Sequence, residues 1–196
     1  MRPKPSSTKD RYWIFAHPPK LDFEQNVRNA IDWFENNASN YLKLNKIYPR
    51  DIYSNDMIAP QTEVERILLN IDHEAIRLAK SQPPKTYHIL FGKWLIFIKK
   101  EQVDENWERL SSEIESGKLP YDAKVATAKQ NPLGRGGKHV VCVYTPNFLF
   151  RDDVRNCRVL LKRLGFESRL YYKPDIFTYK HMYRVYGSKI NHRYFG

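Results

Sequence analysis

Apolar residues along this chain follow two rhythms, one repeating every three to four positions and one alternating, and the changes between them mark out the elements. "RYWIFAH", residues 11–17, alternates and predicts a short strand that "PPK" stops. Phe23, Val27, Ala30, Ile31 and Phe34 then fall at helical spacing, with Asp22 as the expected N-cap and an end near "ENNASN". Residues 38–60 mix Asn, Tyr, Pro and Asp and are expected to form a long surface connection. A second amphipathic helix is expected from Thr62 to Lys80, on Val64, Ile67, Leu68, Ile71, Ala75 and Leu78, and "SQPPK" terminates it.

The second half is patterned more sharply. "GKWLIFIKK" predicts a buried strand, and "VDENWERLSSEIESGKL" a helix whose Val103, Trp107, Leu110 and Ile114 share one face and which Gly117 ends. "DAKVATAK", 122–129, and "KHVVCVYT", 138–145, flank a turn-rich loop as an antiparallel hairpin would. Asp152 or Asp153 is expected to cap a helix with the stripe Val154, Cys157, Leu160, Leu161 and Leu164, closed by Gly165, and "SRLYYK", 168–173, is the last expected strand. Residues 1–10 are polar and predict a flexible tail. Residues 11–196 then form one domain, with a basic, tyrosine-rich segment from Pro174 onward whose order the pattern leaves open. Strands, helices and a hairpin together predict an α+β fold with a mainly antiparallel sheet.

Charge changes the picture once it is located. Residues 1–123 hold 18 basic and 18 acidic side chains, whereas residues 124–196 hold 15 and 4, so the whole net charge of +11 belongs to the last third. A surplus so confined predicts a surface for a polyanion, with nucleic acid ahead of anionic membrane and acidic protein; a solvated basic face without a partner is the alternative. The sequence has no apolar run long enough to span a bilayer and no secretion-signal pattern, so the expectation is an intracellular protein of cytoplasm or nucleus that makes no use of membrane. Cys142 and Cys157 stand alone and the six histidines lack metal spacing, so neither metal nor cofactor is expected.

The loop "NPLGRGGKHVVCVYT", 131–145, raises the question of a phosphate-binding P-loop. Pro132 stands where the first glycine is needed, His139 follows Lys138, and a strand rather than a helix comes next. The triphosphatase reading fails. What remains is a hairpin tip with Lys129, Arg135 and Lys138 at its ends, able to meet a phosphate through side-chain charge or to be basic for solubility alone.

"GKWLIFI", "VDENWERLSSEI", "AKVATAK", "KHVVCVYTPNFLFRDDVRNCRVLLKRLGF" and "LYYKPD" follow in an order that resembles the latter half of the cap-binding translation initiation factor 4E. "GKWLIF", "AKVAT", "VCVYT", "DDV" and "YYKPDIFTY" are more similar still to the basophilic-leukaemia-expressed protein family, which shares that fold; the resemblance covers residues 91–183, about half the chain, with "RYWIFAHPP" as a weaker match. It implies a curved antiparallel sheet with helices on its convex face and a ligand cleft on the concave side. In the cap-binding factor two tryptophans sandwich the methylated base, a glutamate reads its edge and basic residues hold its phosphates. Here "SQPPKTYHILF" contains neither Trp nor Glu, and Tyr144 stands for a tryptophan that follows the basic strand. Lys129 and Lys138 fall where the factor's phosphate-contacting residues sit, so the resemblance implies an anion or RNA binder without cap recognition.

Single residues sharpen this. Trp94, Trp107, Trp13 and Trp33 are expected in the core, with Trp107 also marking a protein-docking patch on the helical face in a scaffold reading. Arg169 and Lys173 interleave with Tyr171 and Tyr172, one of which must face the core. Lys138 and His139 point to opposite faces of a strand and do not make an acid–base pair. Some members of the resembled family carry a phosphothreonine-lyase label, a chemistry onto which Lys138, His88 and Arg135 could be fitted although no constellation here requires it. The leading expectation is non-catalytic binding of RNA or a nucleotide phosphate by Lys129, Arg135, Lys138, Arg169 and Lys173, with Tyr144 and Tyr172 as stacking rings. A phosphate-handling enzyme and a protein scaffold near Trp107 are the alternatives.

Overall fold

The computed structural model describes residues 2–81, 88–129 and 137–196. In chain order these form β1 (Trp13–Ala16), α1 (Lys20–Tyr41), α2 (Glu63–Lys80), β2 (Gly92–Lys99), α3 (Lys100–Glu115), β3 (Ala123–Ala126), β4 (Lys138–Thr145), α4 (Arg151–Arg163), β5 (Tyr171–Pro174), α5 (Asp175–Tyr179) and β6 (Tyr194–Phe195). The six strands make one sheet in the order β1-β3-β4-β2-β5-β6, antiparallel at every pairing. Together with five α-helices among the described residues, this is an α+β fold, as the pattern predicted.

Alternation divides the sheet. In β2, Trp94, Ile96 and Ile98 are buried, and across the register lie Val143 and Val141 of β4 and Tyr172 of β5. This face meets the helices: Val103, Trp107, Leu110 and Ile114 of α3, Val154, Cys157 and Leu161 of α4, Phe34 and Ala38 of α1, and Leu68, Ile71 and Ala75 of α2 join it in one core. The Trp94 indole donates to the Val154 carbonyl at 3.1 Å, so the largest core side chain keeps its polar atom satisfied. Gly92 lies where a Cβ would collide with the Tyr172 hydroxyl, which itself bonds Thr145 Oγ1 at 2.5 Å. A glycine is therefore required at the head of β2.

The helix ends differ in detail from the expected ones. α1 begins at Lys20 after Pro19, placing Asp22 in its first turn. α2 is capped by Thr62 and Glu65, each side chain bonding the other's backbone amide. α4 begins at Arg151, so Asp152 and Asp153 both lie inside its first turn; Asp153 is buried and accepts a bond from the Tyr121 hydroxyl at 2.6 Å. Gly117 and Gly165 do end their helices, at φ 80° and 84°.

Three segments are more tightly held than their composition suggested. Within 38–60, Ile47 and Ile52 are buried in the core, Ile47 bridges Ile58, and the Ile52 amide donates to Phe195 O at 2.9 Å. The segment after Pro174 adds α5, a 3-10 turn at Arg184–Tyr186 and β6, whose Tyr194 is fully buried. Residues 2–10, expected as a flexible tail, lie against α3: Arg2 pairs with Glu108 and Glu115, and the Ser6 amide bonds Asp104 at 2.9 Å.

Candidate functional site: the open face of the sheet

The residues of the other alternation point away from α1 to α4, and basic and aromatic side chains predominate among them. A row crosses the whole sheet as Phe195, Tyr171, Leu95, Cys142, Lys124 and Phe15, each paired with the next in register. A second row places Lys173, Lys93 and Tyr144 side by side on β5, β2 and β4. Phe15 and Phe97 are 57% and 54% exposed, an unusual state for phenylalanine at strand positions, and Tyr171 is exposed as well. In β2 this face is Lys93, Leu95, Phe97 and Lys99, so the strand expected to be buried is buried on one side only.

Basic and aromatic groups interlock here. Lys124 Nζ stands 4.4 Å from the Trp13 ring centre and 5.4 Å from that of Tyr144, and Lys93 Nζ stands 5.5 Å from Tyr144 on its other side. Lys173 Nζ lies 3.4 Å from the Tyr183 ring centre and donates to Met182 O at 2.9 Å. Lys93 pairs with Asp175 at the start of α5 and has Thr178 Oγ1 at 3.4 Å. The open face thus holds three ammonium groups and two carboxylates around Tyr144 and Cys142: Asp175 beside Lys93, and Asp122 beyond Tyr144, tied to His17 at 3.0 Å.

The lysines have been brought into a poorly solvated place. Burial, reinforced by the Lys93 charge, pulls the Lys173 ammonium down to about 8 from the usual lysine range. Burial lowers Lys124 too, again with Lys93 opposing its charge. Burial pushes the Cys142 thiol up to about 11 despite its lysine neighbours, and it raises the Tyr144 hydroxyl further, so both stay neutral at ordinary pH. Such a face gains from an anion, which would compensate charges that water compensates only in part.

The expected site residues separate. Lys173 and Tyr144 lie in the cluster. Lys138 is on the same face but at the far end of β4, opposite Lys99. Lys129 stands over the Tyr12 ring at 4.4 Å and reaches Asp10 O at 3.3 Å, outside the cluster. Arg169 covers Phe195 at 4.8 Å, near the β6 edge. Arg135 lies outside the described residues. Tyr172, expected to stack, is fully buried on the core face, because it pairs with Trp94 and bonds Thr145; Tyr171 is the ring on the open side.

Trp107 and Trp94 are in the core as expected, whereas Trp13 lies on the open face under Lys124 and Trp33 stacks on Phe150 at 5.4 Å. Burial of Trp107 to 2% exposure removes it as a docking side chain. Of the residues onto which a lyase chemistry could be fitted, Lys138 pairs with Lys99 at one end of β2, His88 precedes Gly92 at the other, roughly 20 Å away at the rise of a strand, and Arg135 lies outside the described residues.

Much of the basic surplus is built into the protein. Arg193 is fully buried and pairs with Asp72, its Nη2 2.8 Å from Oδ2 and its Nε 3.1 Å from both oxygens. Burial alone would lower Arg193, and the Asp72 carboxylate reverses this and raises it. Arg158 donates to the carbonyls of Phe166 and Ser168 at 2.8 Å and of Gly196 at 3.0 Å. Arg151 donates to Asp51 O and Ile52 O and covers Tyr48 at 4.8 Å. Beside these, the open face holds Lys93, from the charge-balanced part of the chain, and Lys124, from the basic part. Neither was singled out from the sequence, although the signal was present: lysines alternating with Trp94 and Ile96 in "GKWLIFIK", and with Ala123 and Val125 in "AKVA".

Among the described residues no group of three or more His, Cys, Asp or Glu side chains could hold a metal, and no helix is long and apolar enough to cross a membrane. Compared with known families, residues 1–181 match the family model described as basophilic leukemia-expressed protein Bles03.

Proposed function

This chain belongs to the basophilic leukemia-expressed protein Bles03 family, and we propose that it binds RNA or a nucleotide phosphate on the open face of its sheet, as a binding protein and not as an enzyme. The observation that carries the proposal is the juxtaposition of Lys93, Lys124 and Lys173 with Tyr144 and Trp13 on the sheet face turned away from α1 to α4, bordered at its Lys173 end by α5. Ammonium groups hold phosphates, and rings with exposed faces accept bases of any identity.

The finer likeness, to the cap-binding initiation factor 4E, belongs to the same proposal. An antiparallel sheet with α1 to α4 packed on one side and a basic, aromatic face on the other supports it. Cap recognition by a two-tryptophan sandwich is not part of it, since Trp94 and Trp107 are buried and Trp33 packs on Phe150, leaving Trp13 as the tryptophan of the open face.

Filter binding of a short single-stranded RNA at rising salt tests the reading. The expected result is an affinity that falls linearly on a double-logarithmic plot, with a shallower slope when Lys93 and Lys124 are replaced by Gln. Absent binding, or binding indifferent to salt and to those substitutions, overturns it.

A further inference from the structure

We propose that the lysine cluster is the seat of a terminal phosphomonoester, the phosphate at the end of a nucleic-acid strand or on a mononucleotide, in preference to the diester phosphates inside a strand. The inference rests on the function proposed above and narrows it.

Three features of the cluster lead there. The first is convergence. A strand held by its internal phosphates needs charges spaced along a track, whereas Lys93 and Lys173 are direct cross-strand neighbours and Lys93 and Lys124 flank one ring, that of Tyr144. The lysines farther along the face, Lys99 and Lys138, sit at the opposite end of the same strands.

The second is charge balance. Lys93, Lys124 and Lys173 outnumber Asp175 and, at the rim, Asp122, so the seat keeps a net positive charge at one point, and a phosphomonoester brings about −1.5 to −2 to that point at neutral pH where a diester brings one. Asp175 already shows an oxyanion against Lys93. Lys173, only 5% exposed and held by Met182 O, supplies its charge from behind and does not need to touch the ligand.

The third is closure on one side. Residues 175–183 wall the Lys173 end: Asp175 and Thr178 reach Lys93, and Met182 and Tyr183 cover Lys173. On the opposite side the face stays open past Tyr144 and Lys124 to Trp13 and the exposed Phe15. A chain can leave the cluster in that direction with its first base on an aromatic ring, but it cannot pass through.

The groups that face Lys173 and its neighbours set the pH response. They are Lys93 from β2, Lys124 from β3, Cys142 and Tyr144 from β4, Asp175 and Thr178 from α5, and Tyr183, with the Asp122–His17 pair at the rim. Cys142 and Tyr144 stay neutral through the working range. The ligand gains its second charge as pH rises through about 6, and the seat loses charge as Lys173 gives up its proton above about 8. Affinity for a monoester therefore rises and then falls, and affinity for a diester lacks the rise that the ligand itself supplies.

The test compares one short single-stranded RNA carrying either a 5′-phosphate or a 5′-hydroxyl, and adenosine 5′-monophosphate against adenosine, with the intact wild-type protein. The expected preference for each phosphorylated probe is about tenfold or more at pH 7, lost in Lys124→Gln, and shrinking below pH 6. Equal binding of the two RNAs overturns the terminal-phosphate inference and leaves the RNA-binding reading standing. Binding of neither RNA and neither adenosine probe overturns both. The wild-type pH profile keeps the test decisive if Lys124→Gln fails to fold.

Discussion

Arg193, beside the last strand, and Lys173, in the strand next to it, carry the same charge and have opposite fates. Arg193 is enclosed with its own carboxylate, and Tyr41 donates a further bond to Asp72 at 3.2 Å. Lys173 is almost as hidden, yet its direct partners are a carbonyl and a ring, and its cross-strand neighbour is another lysine. The planar guanidinium, with five donors in fixed directions, can be consumed by carbonyls and carboxylates inside a protein, as Arg158 also shows. A lysine set among lysines keeps its demand for an anion. The basic surplus of a sequence is therefore an upper bound on the charge available to a partner, and its arginines are the part most readily absorbed by the fold.

Breaking the enclosed pair gives the largest expected effect. Asp72→Ala strands Arg193 in the core and lowers stability by about 3–5 kcal/mol, measured by urea denaturation. Arg158→Met leaves the carbonyls of Phe166, Ser168 and Gly196 short of a donor and costs about 2 kcal/mol by the same measurement. Neither substitution touches the open face, so any refolded fraction retains wild-type affinity for RNA.

On the lysine side the sign reverses. Lys173 is held below its unfolded value, so wild-type stability carries a cost at pH 7 that disappears as pH rises from about 8 through the unfolded lysine range. Lys173→Met removes that cost: it raises stability by about 1 kcal/mol at pH 7, the gain shrinks above pH 8, and phosphate affinity falls. The smallest effect on the fold belongs to Phe97→Ser, within about 0.5 kcal/mol because the ring is largely in solvent, while binding to single-stranded RNA weakens by about 1 kcal/mol or more if bases stack there. A Phe97→Ser protein that loses stability but not affinity would assign that ring to the fold and blur the contrast.

What the sequence made legible follows from how local each signal is. The amphipathic stripes located α2, α3 and α4, and β4 begins and ends where its alternation does. The β3–β4 pairing was equally readable, since its two alternating stretches follow one another along the chain. The segment 38–60 was not, because Ile47 and Ile52 are isolated among polar residues, and Ile52 is held by Phe195 of β6, far along the chain. Nor could Asp72 and Arg193 be joined, lying 121 positions apart. Within the site, Tyr144 and Lys173 were legible from mixed basic and aromatic composition. Choosing between Tyr171 and Tyr172 required the register with Trp94, Lys93 was hidden in a part of the chain where acidic residues cancel the basic count, and Lys124, though inside the basic third, joins the site only through its pairing with Cys142.

The pairing of Asp72 with Arg193 also bears on how the protein is made. Translation delivers α2 with its bare carboxylate long before the arginine that neutralises it, and the strand that pairs with β5 and holds Ile52 emerges with that same arginine. A nascent chain that has emerged only as far as β5 consequently has an unfinished core and an uncovered sheet edge, and the one short segment that carries Arg193, Tyr194 and Phe195 supplies what both lack.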